Sequence, residues 1–403
     1  MKQKLLFVIE SLAAAGAERS LISLLSALDY SRFEVDLQLF SYGGELERYL
    51  LEQIHLLPPL DYTEFARKKI KQQIKTGDVK KIARRFLYSF LIRFGKNTHA
   101  DKARKYWRTI APCFPERKEM YDVAIAYSQG IPTFYVAEKI DAQKKIAWVN
   151  VGYRLSEKNL NFLSAFYHRM NRIVCVSETA KDVFDQEFPL FSDKTVVLRD
   201  RIDPAFIRKL ANDFSVDFEK DLPILLTVAR FAPQKGYDTA LEACRILRDR
   251  GVRFKWYAIG KGPLRQDMEY FLRENALQDH FVFLGTFANP YPYFKAATLY
   301  VQTSRHEGYG LSIAEARILG KPVVTTEFDA VWLQMVQGKN GLVVPQDPIA
   351  IANAIERLLI DKALYGSIIA YLKQETYDQD DVVQRFYGVL DSFPDSDVMR
   401  MTK

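Results

Sequence analysis

The chain has 403 residues, 48% of them apolar and 27% charged, with a formal net charge of +7. That length suits two domains of ordinary size, each with its own core, and no apolar run approaches the ~18 positions of a membrane span. The three cysteines (Cys113, Cys175, Cys244) are scattered, which excludes a disulfide framework and zinc-type spacing and favours a reducing cytoplasm.

At the N-terminus, KLLFVIE predicts a buried strand over Leu5–Ile9, and AAAGAE predicts the turn into a helix with Leu21, Leu24, Leu25 and Leu28 on one stripe. Glu10 and Ser11 interrupt the apolar run too early for a secretory leader. Gly16 in that turn would let a ligand approach the backbone closely. Further strands are expected at Val35–Phe40, Val123–Tyr127, Lys145–Val149 and Ile173–Val176, the last carrying Cys175 as a buried strand residue.

Residues 65–108 stand apart, with fifteen Lys or Arg against two Asp. Ile82, Phe86, Phe90 and Phe94 recur every four positions, Leu87 and Leu91 lie beside them, and Arg84, Arg85 and Arg93 fall largely on other faces. This is the pattern of a basic amphipathic helix at a membrane surface, where anionic lipid offers about 1 kcal/mol per basic residue. No aromatic-interleaved motif accompanies the charge, so nucleic acid is not the expected partner.

A polar passage over Asp200–Asp221, closed by Pro223, is the expected crossover to a second half. There, strands are expected at Ile224–Ala229, Lys255–Ile259, Phe281–Leu284, Leu299–Val301, Val323–Thr325 and Leu342–Val344. Strands alternating with helical stretches predict an α/β protein: two Rossmann-like doubly wound domains with parallel sheets, facing across a cleft. The first covers 1–200 and carries 65–108 as an insertion, the second covers 201–381, and 382–403 forms a terminal helix and tail.

In open α/β sheets ligands collect at the carboxyl ends of strands. Arg230 leaves the strand Ile224–Ala229, and Lys235 lies just before Gly236 at the start of the next helix. Arg supplies a planar fork for phosphate and Lys a mobile point charge, so the pair is a candidate phosphate-binding set. A second loop, EGYGLSIAE, places Gly308 and Gly310 at the start of a helix on which Leu311, Ala314 and Ile318 recur; their N–H groups would seat an anion. Glu307 and Glu315 bracket this run. Eight helical steps would separate them by about 12 Å, beyond the roughly 5–9.5 Å that a carboxylate pair needs across one glycosidic bond. The separation suits hydroxyl groups on either side of a diphosphate.

Taken in order, VARFAPQKGYDTALEA, AIGKGPL, FVFLG and SRHEGYGLSIAEARILGKPVVTT resemble the nucleotide-sugar domain of retaining glycosyltransferases of family 4, with Glu307 and Glu315 as the Glu-x7-Glu signature. The first half is similar more weakly, through LFVIESLAAAGAERSL and RIVCVSETAKDVF. The resemblance implies a GT-B fold, with 382–403 returning to the first, acceptor-binding domain. It also implies transfer of a hexose from a UDP- or GDP-sugar to a glycan or lipid-linked acceptor in cell-surface polysaccharide synthesis. Retention would come from front-face attack, with no cofactor and no metal. Catalysis would fall to Glu307, Lys235 and Arg230. The donor would be held by Gly16, Arg230, Lys235, Glu307, Gly308, Tyr309, Gly310, Leu311 and Glu315. The protein would work in the cytoplasm, peripherally on the inner face of the plasma membrane.

Two positions depart from the family pattern. Asn150 stands at a strand end where many relatives carry His, and Asp200 stands where Asn is common. Asparagine cannot shuttle a proton near neutral pH. This keeps open a second class, a catalytically impaired GT-B partner protein that binds sugar or another transferase. An epimerase ranks third, because the five histidines, His306 included, give no convincing acid–base set. A nicotinamide enzyme ranks lower still, since Gly260–Pro263 is not G-x-G-x-x-G. The DQD at Asp378–Asp380 reads as a solvated turn rather than a metal site.

Overall fold

The computed structural model describes residues 2–13, 16–93, 98–150, 155–219, 221–377 and 380–391. The chain forms two compact units, Met1–Arg201 joined by the segment from Asp380, and Ile202–Gln379.

The first unit is built on β1 (Gln3–Ile9), β2 (Phe33–Leu39), β3 (Ile54–Leu56), β4 (Arg117–Ala126), β5 (Ile140–Val149), β6 (Arg172–Cys175) and β7 (Thr195–Val197). They pair in the order β3-β2-β1-β4-β5-β6-β7, every neighbour parallel. The second unit is built on β8 (Ile224–Val228), β9 (Lys255–Ile259), β10 (Phe281–Gly285), β11 (Leu299–Gln302), β12 (Val323–Thr326) and β13 (Gly341–Val344), in the order β10-β9-β8-β11-β12-β13, again all parallel. Leu5, Leu6, Phe7 and Val8 of β1 and Leu225 and Leu226 of β8 are fully buried. Helices covering both faces of a parallel sheet produce these continuous apolar runs instead of alternation.

In each sheet the strand order reverses once among the central strands, at β1/β4 and at β8/β11. A crevice opens at such a point beyond the strands' carboxyl ends, because the following loops run to opposite faces. The loops after β8 and β11 are the two that hold Arg230, Lys235 and Glu307.

The strands expected from the sequence are all present, with ends shifted by a few residues. β3 and β7 were not expected. Each is three residues long and lies at a sheet edge, too short for a two-residue alternation to register.

Helix Val79–Arg93 occupies the basic segment, but its faces are divided differently from expectation. Ile82 and Tyr88 pack against the first core, and the Arg84 guanidinium donates to the Thr109 carbonyl at 2.6 Å. Phe86, Leu87 and Phe90 are exposed. Phe94, the fourth member of the repeat, lies outside the described residues, as do Ala14, Ala15, Asp378, Gln379 and 392–403. Helix Asp380–Asp391 packs on the first unit, with the Phe386 ring 6.2 Å from Phe7 and 6.4 Å from Trp148. Among the described residues, no helix is long and apolar enough to cross a membrane.

Candidate functional site

The loop after β8 turns through Pro233–Lys235 and enters helix Tyr237–Asp249 at Gly236, whose φ is +63°. A Cβ there would lie 1.9 Å from the Thr303 carbonyl oxygen. Glycine is therefore required twice over, for the left-handed backbone and for the close approach of the loop after β11. The two loops are also tied by side chains. The Thr303 hydroxyl donates to the Gly236 carbonyl at 2.9 Å, and the Arg305 guanidinium forks onto Asp238 at 2.9 and 2.6 Å. That guanidinium holds the Asp238 carboxyl below the usual carboxylate range.

This clip brings Lys235 and Glu307 together. The Lys235 ammonium donates to both Glu307 oxygens, at 2.6 and 2.7 Å. Glu307 Oε1 also accepts from Gln302 Nε2 at 2.9 Å and from Ser304 Oγ at 2.7 Å. Gln302 and Ser304 are 2% and 0% exposed, so Glu307 is held by buried, fixed donors. The orientation of the Gln302 amide follows from its neighbours: its Oε1 accepts from the Tyr300 phenol at 2.8 Å, leaving the NH₂ for the carboxylate. An ammonium has three N–H donors. Glu307 takes two, and among the described residues the third has no partner and can serve a ligand. Arg230, two residues beyond β8, is exposed.

Glu307 lies on the loop and not on the helix, which runs from Leu311 to Ile318 with Gly310 (φ +86°) as its cap. The helical ruler from sequence thus applies only to the steps from Leu311 to Glu315. Gln334 donates to the carbonyls of Tyr309 and Gly310, at 3.2 Å for the latter, which turns the amides of this segment away from that contact. Glu315 is 3% exposed and accepts from the Tyr291 hydroxyl at 3.1 Å. The helix is buried more completely than a one-sided stripe predicts, because Arg317, 7% exposed, is paired with Glu375.

The structure therefore brings Lys235 and Glu307 into contact and sets Gly308, Tyr309, Gly310 and Leu311 in the loop and helix start after β11, while Arg230 is exposed beyond β8 and Glu315 is buried within the helix. Sequence reasoning missed Gln302, Ser304, Tyr300 and Tyr291. The available signal was a glutamine closing the otherwise apolar strand LYVQ.

In the first unit, Gly16 opens helix Gly16–Leu25 and Asn150 follows β5. Asn150 Nδ2 donates to the Tyr127 carbonyl at 3.2 Å, while its Oδ1 is buried and takes no hydrogen bond from the described residues. Nearby, the Ser20 hydroxyl donates to Asp200 at 2.6 Å and lies 3.0 Å from the Tyr127 hydroxyl. Burial pushes the Asp200 carboxyl up to about 6, and burial, aided by the neighbouring Glu10, pushes Glu18 up to about 7. Among the described residues no three metal-ligating side chains cluster.

Comparison with known proteins bears on the site at this point. Residues 209–375 match the family model for glycosyl transferases group 1. The match contains Arg230, Lys235, Glu307 and Glu315. The chain is 32% identical over 148 residues to the alpha-D-kanosaminyltransferase of Streptomyces kanamyceticus, covering 36% of this chain and 38% of that one. It is 31% identical over 150 residues to LpsE of Rhizobium meliloti, a lipopolysaccharide core biosynthesis glycosyltransferase, covering 37% and 43%. The chain thus spans less than half the length of these relatives. The glycosyltransferase GT-B fold extends further. Anabaena HepE, crystallised with UDP and glucose, superposes with a TM-score of 0.68 at 18% identity over 97% of this chain and 100% of that one. TarM of S. aureus gives 0.66 at 13% identity over 97% and 100%.

Proposed function

We propose that this chain is a retaining glycosyltransferase of family 4. It would move a hexose from a UDP- or GDP-sugar to a glycan or lipid-linked acceptor in cell-surface polysaccharide synthesis, at the inner face of an anionic membrane. The observation that carries the reading is the Lys235–Glu307 pair at the mouth of helix Leu311–Ile318, with one ammonium N–H left over. The activities of the relatives, kanosaminyl transfer and lipopolysaccharide core synthesis, support it.

In this mechanism the anomeric C–O bond to the diphosphate breaks and a bond to the acceptor oxygen forms on the same face. The acceptor proton passes to the departing phosphate oxygen. Negative charge grows on the diphosphate and meets Arg230, Lys235 and the amides of Gly308–Leu311, a preorganised electrostatic site that needs no further reorganisation. Glu307 holds donor-sugar hydroxyls, and because three partners fix its carboxylate, the sugar meets acceptors already in place. Glu315, aligned by Tyr291, holds the ribose. Gly16 and Asn150 contribute from the first unit to the donor and acceptor-sugar regions. No cofactor or metal enters the scheme.

The reading is tested by a thermal-shift screen against nucleotide sugars, followed by transfer assays with the best donor. A donor that binds the folded state raises its stability by about 2.7 kcal/mol at a hundredfold excess over Kd. Turnover is expected to survive chelation. Loss of activity restored by magnesium or manganese would overturn the metal-free scheme, and binding without any release of nucleoside diphosphate would identify a partner protein instead.

A further inference from the structure

We infer that the segment Ile70–Phe90 is a membrane-insertion face. Its exposed apolar side chains enter an anionic bilayer while Arg84 binds the protein's own backbone. The inference deepens the membrane side of the functional reading and is independent of the sugar chemistry.

A helix on a protein surface ordinarily turns its apolar stripe inward and its charges outward. Helix Val79–Arg93 departs from this: Ile82 packs inward, but a second apolar stripe faces out. Val79, Phe86, Leu87 and Phe90 are 73%, 54%, 51% and 59% exposed; Phe86 lies seven residues after Val79 and Phe90 four after Phe86, with Leu87 beside them, which puts the four on one outward stripe. The inward side carries Arg84, bonded to the Thr109 carbonyl, and Tyr88, in edge contact with Tyr106 at 5.2 Å. Lys105 reaches across from helix His99–Ile110 to cap the Leu91 carbonyl at 2.8 Å. The preceding helix, Ile70–Lys75, extends the pattern, with Ile70 and Ile74 each 57% exposed. Six large apolar side chains within 21 positions of one another exceed the scattered exposure of ordinary surfaces.

Charge decides what covers this face. Lys71, Lys75 and Lys80 are exposed among the apolar residues, and Lys68, Lys69 and Arg93 flank them. A second copy of the chain would bring these cations against their own kind, which costs affinity. An anionic lipid surface attracts each of them, raising the partition coefficient roughly five-fold per lysine. Phenylalanine and leucine then enter the acyl boundary while the lysine stems keep their ammonium groups at the headgroups.

The test uses the full chain without any nucleotide sugar, so its outcome is separate from that of the transferase reading. Vesicles of phosphatidylcholine alone are compared with vesicles of phosphatidylcholine and phosphatidylglycerol in equal parts, by co-sedimentation. The chain is expected to sediment with the anionic vesicles and be released by salt. Phe86→Ser with Leu87→Ser should lower the partition coefficient at least about ten-fold with an unchanged melting temperature. Replacing Lys71, Lys75 and Lys80 by Gln should abolish the preference for anionic lipid. A Phe86→Trp chain should show blue-shifted emission only with anionic vesicles. No sedimentation with anionic vesicles, or sedimentation that the serine substitutions leave intact, overturns the inference. A concentration-dependent dimer removed by the same serine substitutions also overturns it, since the face would then belong to a second copy.

Discussion

Glu307 accepts from Lys235, Gln302 and Ser304, and these donors differ in what their loss would do. Gln302 and Ser304 are buried and act on the carboxylate whether or not a ligand is present. Lys235 is the cation of the three, and its third N–H can meet charge that develops during reaction. Lys235→Ala is accordingly expected to lower kcat by about 10²–10³ while KM for the donor moves only a few-fold, because its contribution grows toward the transition state. Steady-state kinetics at saturating acceptor would check this; an equal loss in donor affinity and turnover would show that Lys235 merely anchors the ground state. Asp200 offers a second residue-scale prediction, this time on stability. Burial raises its carboxyl to about 6 while the Ser20 bond pulls the other way. A carboxyl whose folded pKa is raised favours folding least when ionised. The cost therefore begins above the unfolded value, near 3.8, and is complete above about 6. Asp200→Asn keeps an acceptor for Ser20 and removes the charge. It should stabilise the chain by up to about 3 kcal/mol at neutral pH, with the gain vanishing below about pH 4. Urea unfolding at the two pH values would decide, and a pH-independent difference would contradict the assignment.

The elements that hold the site were legible to different degrees. The strands ILLTV and LYVQ announced themselves as apolar runs, and the glycines after them marked the helix starts, so Arg230, Lys235, Glu307 and Glu315 could be placed before any coordinates. Hydrogen bonds between loops could not. Thr303, Arg305 and Gln302 are ordinary loop or strand-end residues in sequence, and only the proximity of β8 and β11 makes them a clip. The membrane-surface pattern of helix Val79–Arg93 named Phe86, Leu87 and Phe90, but it did not show that Ile82 turns inward to the core. Its periodicity is the same whichever face meets the core, and the inward positions are set by Tyr88, Arg84 and their partners on helix His99–Ile110. The clip yields a prediction of its own. At Gly236, φ of +63° and a Cβ position 1.9 Å from the Thr303 oxygen both oppose a side chain. Gly236→Ala should cost at least about 1–3 kcal/mol, and by displacing the loop after β8 it should weaken nucleotide binding as well. Chemical unfolding and isothermal titration with UDP would check the pair of effects; a stable variant with unchanged binding would show that the loops do not depend on each other.

At the scale of the whole molecule, each unit has its own hydrophobic cluster, one around β1, β4 and β5 and one around β8, β9 and β11. The chain visits the first unit twice, and its second visit is helix Asp380–Asp391. Phe386 there is fully buried against Phe7 and Trp148, Tyr387 lies 5.4 Å from Phe33, and the Asp29 amide donates to the Tyr387 hydroxyl at 2.9 Å. The helix thus completes the core of a unit whose other strands ended almost two hundred positions earlier, at Val197. Every residue of the proposed diphosphate seat, by contrast, lies between Arg230 and Glu315 in the second unit. Stability and ligand binding should therefore separate in calorimetry. Phe386→Ala removes a large ring from a packed core and should destabilise the first unit by about 3–5 kcal/mol, while a hundredfold excess of UDP should stabilise the second by about 2.7 kcal/mol. The transition lowered by the substitution should not be the one raised by UDP. If a single transition answers to both, the units fold as one and the returning helix supports the nucleotide site directly.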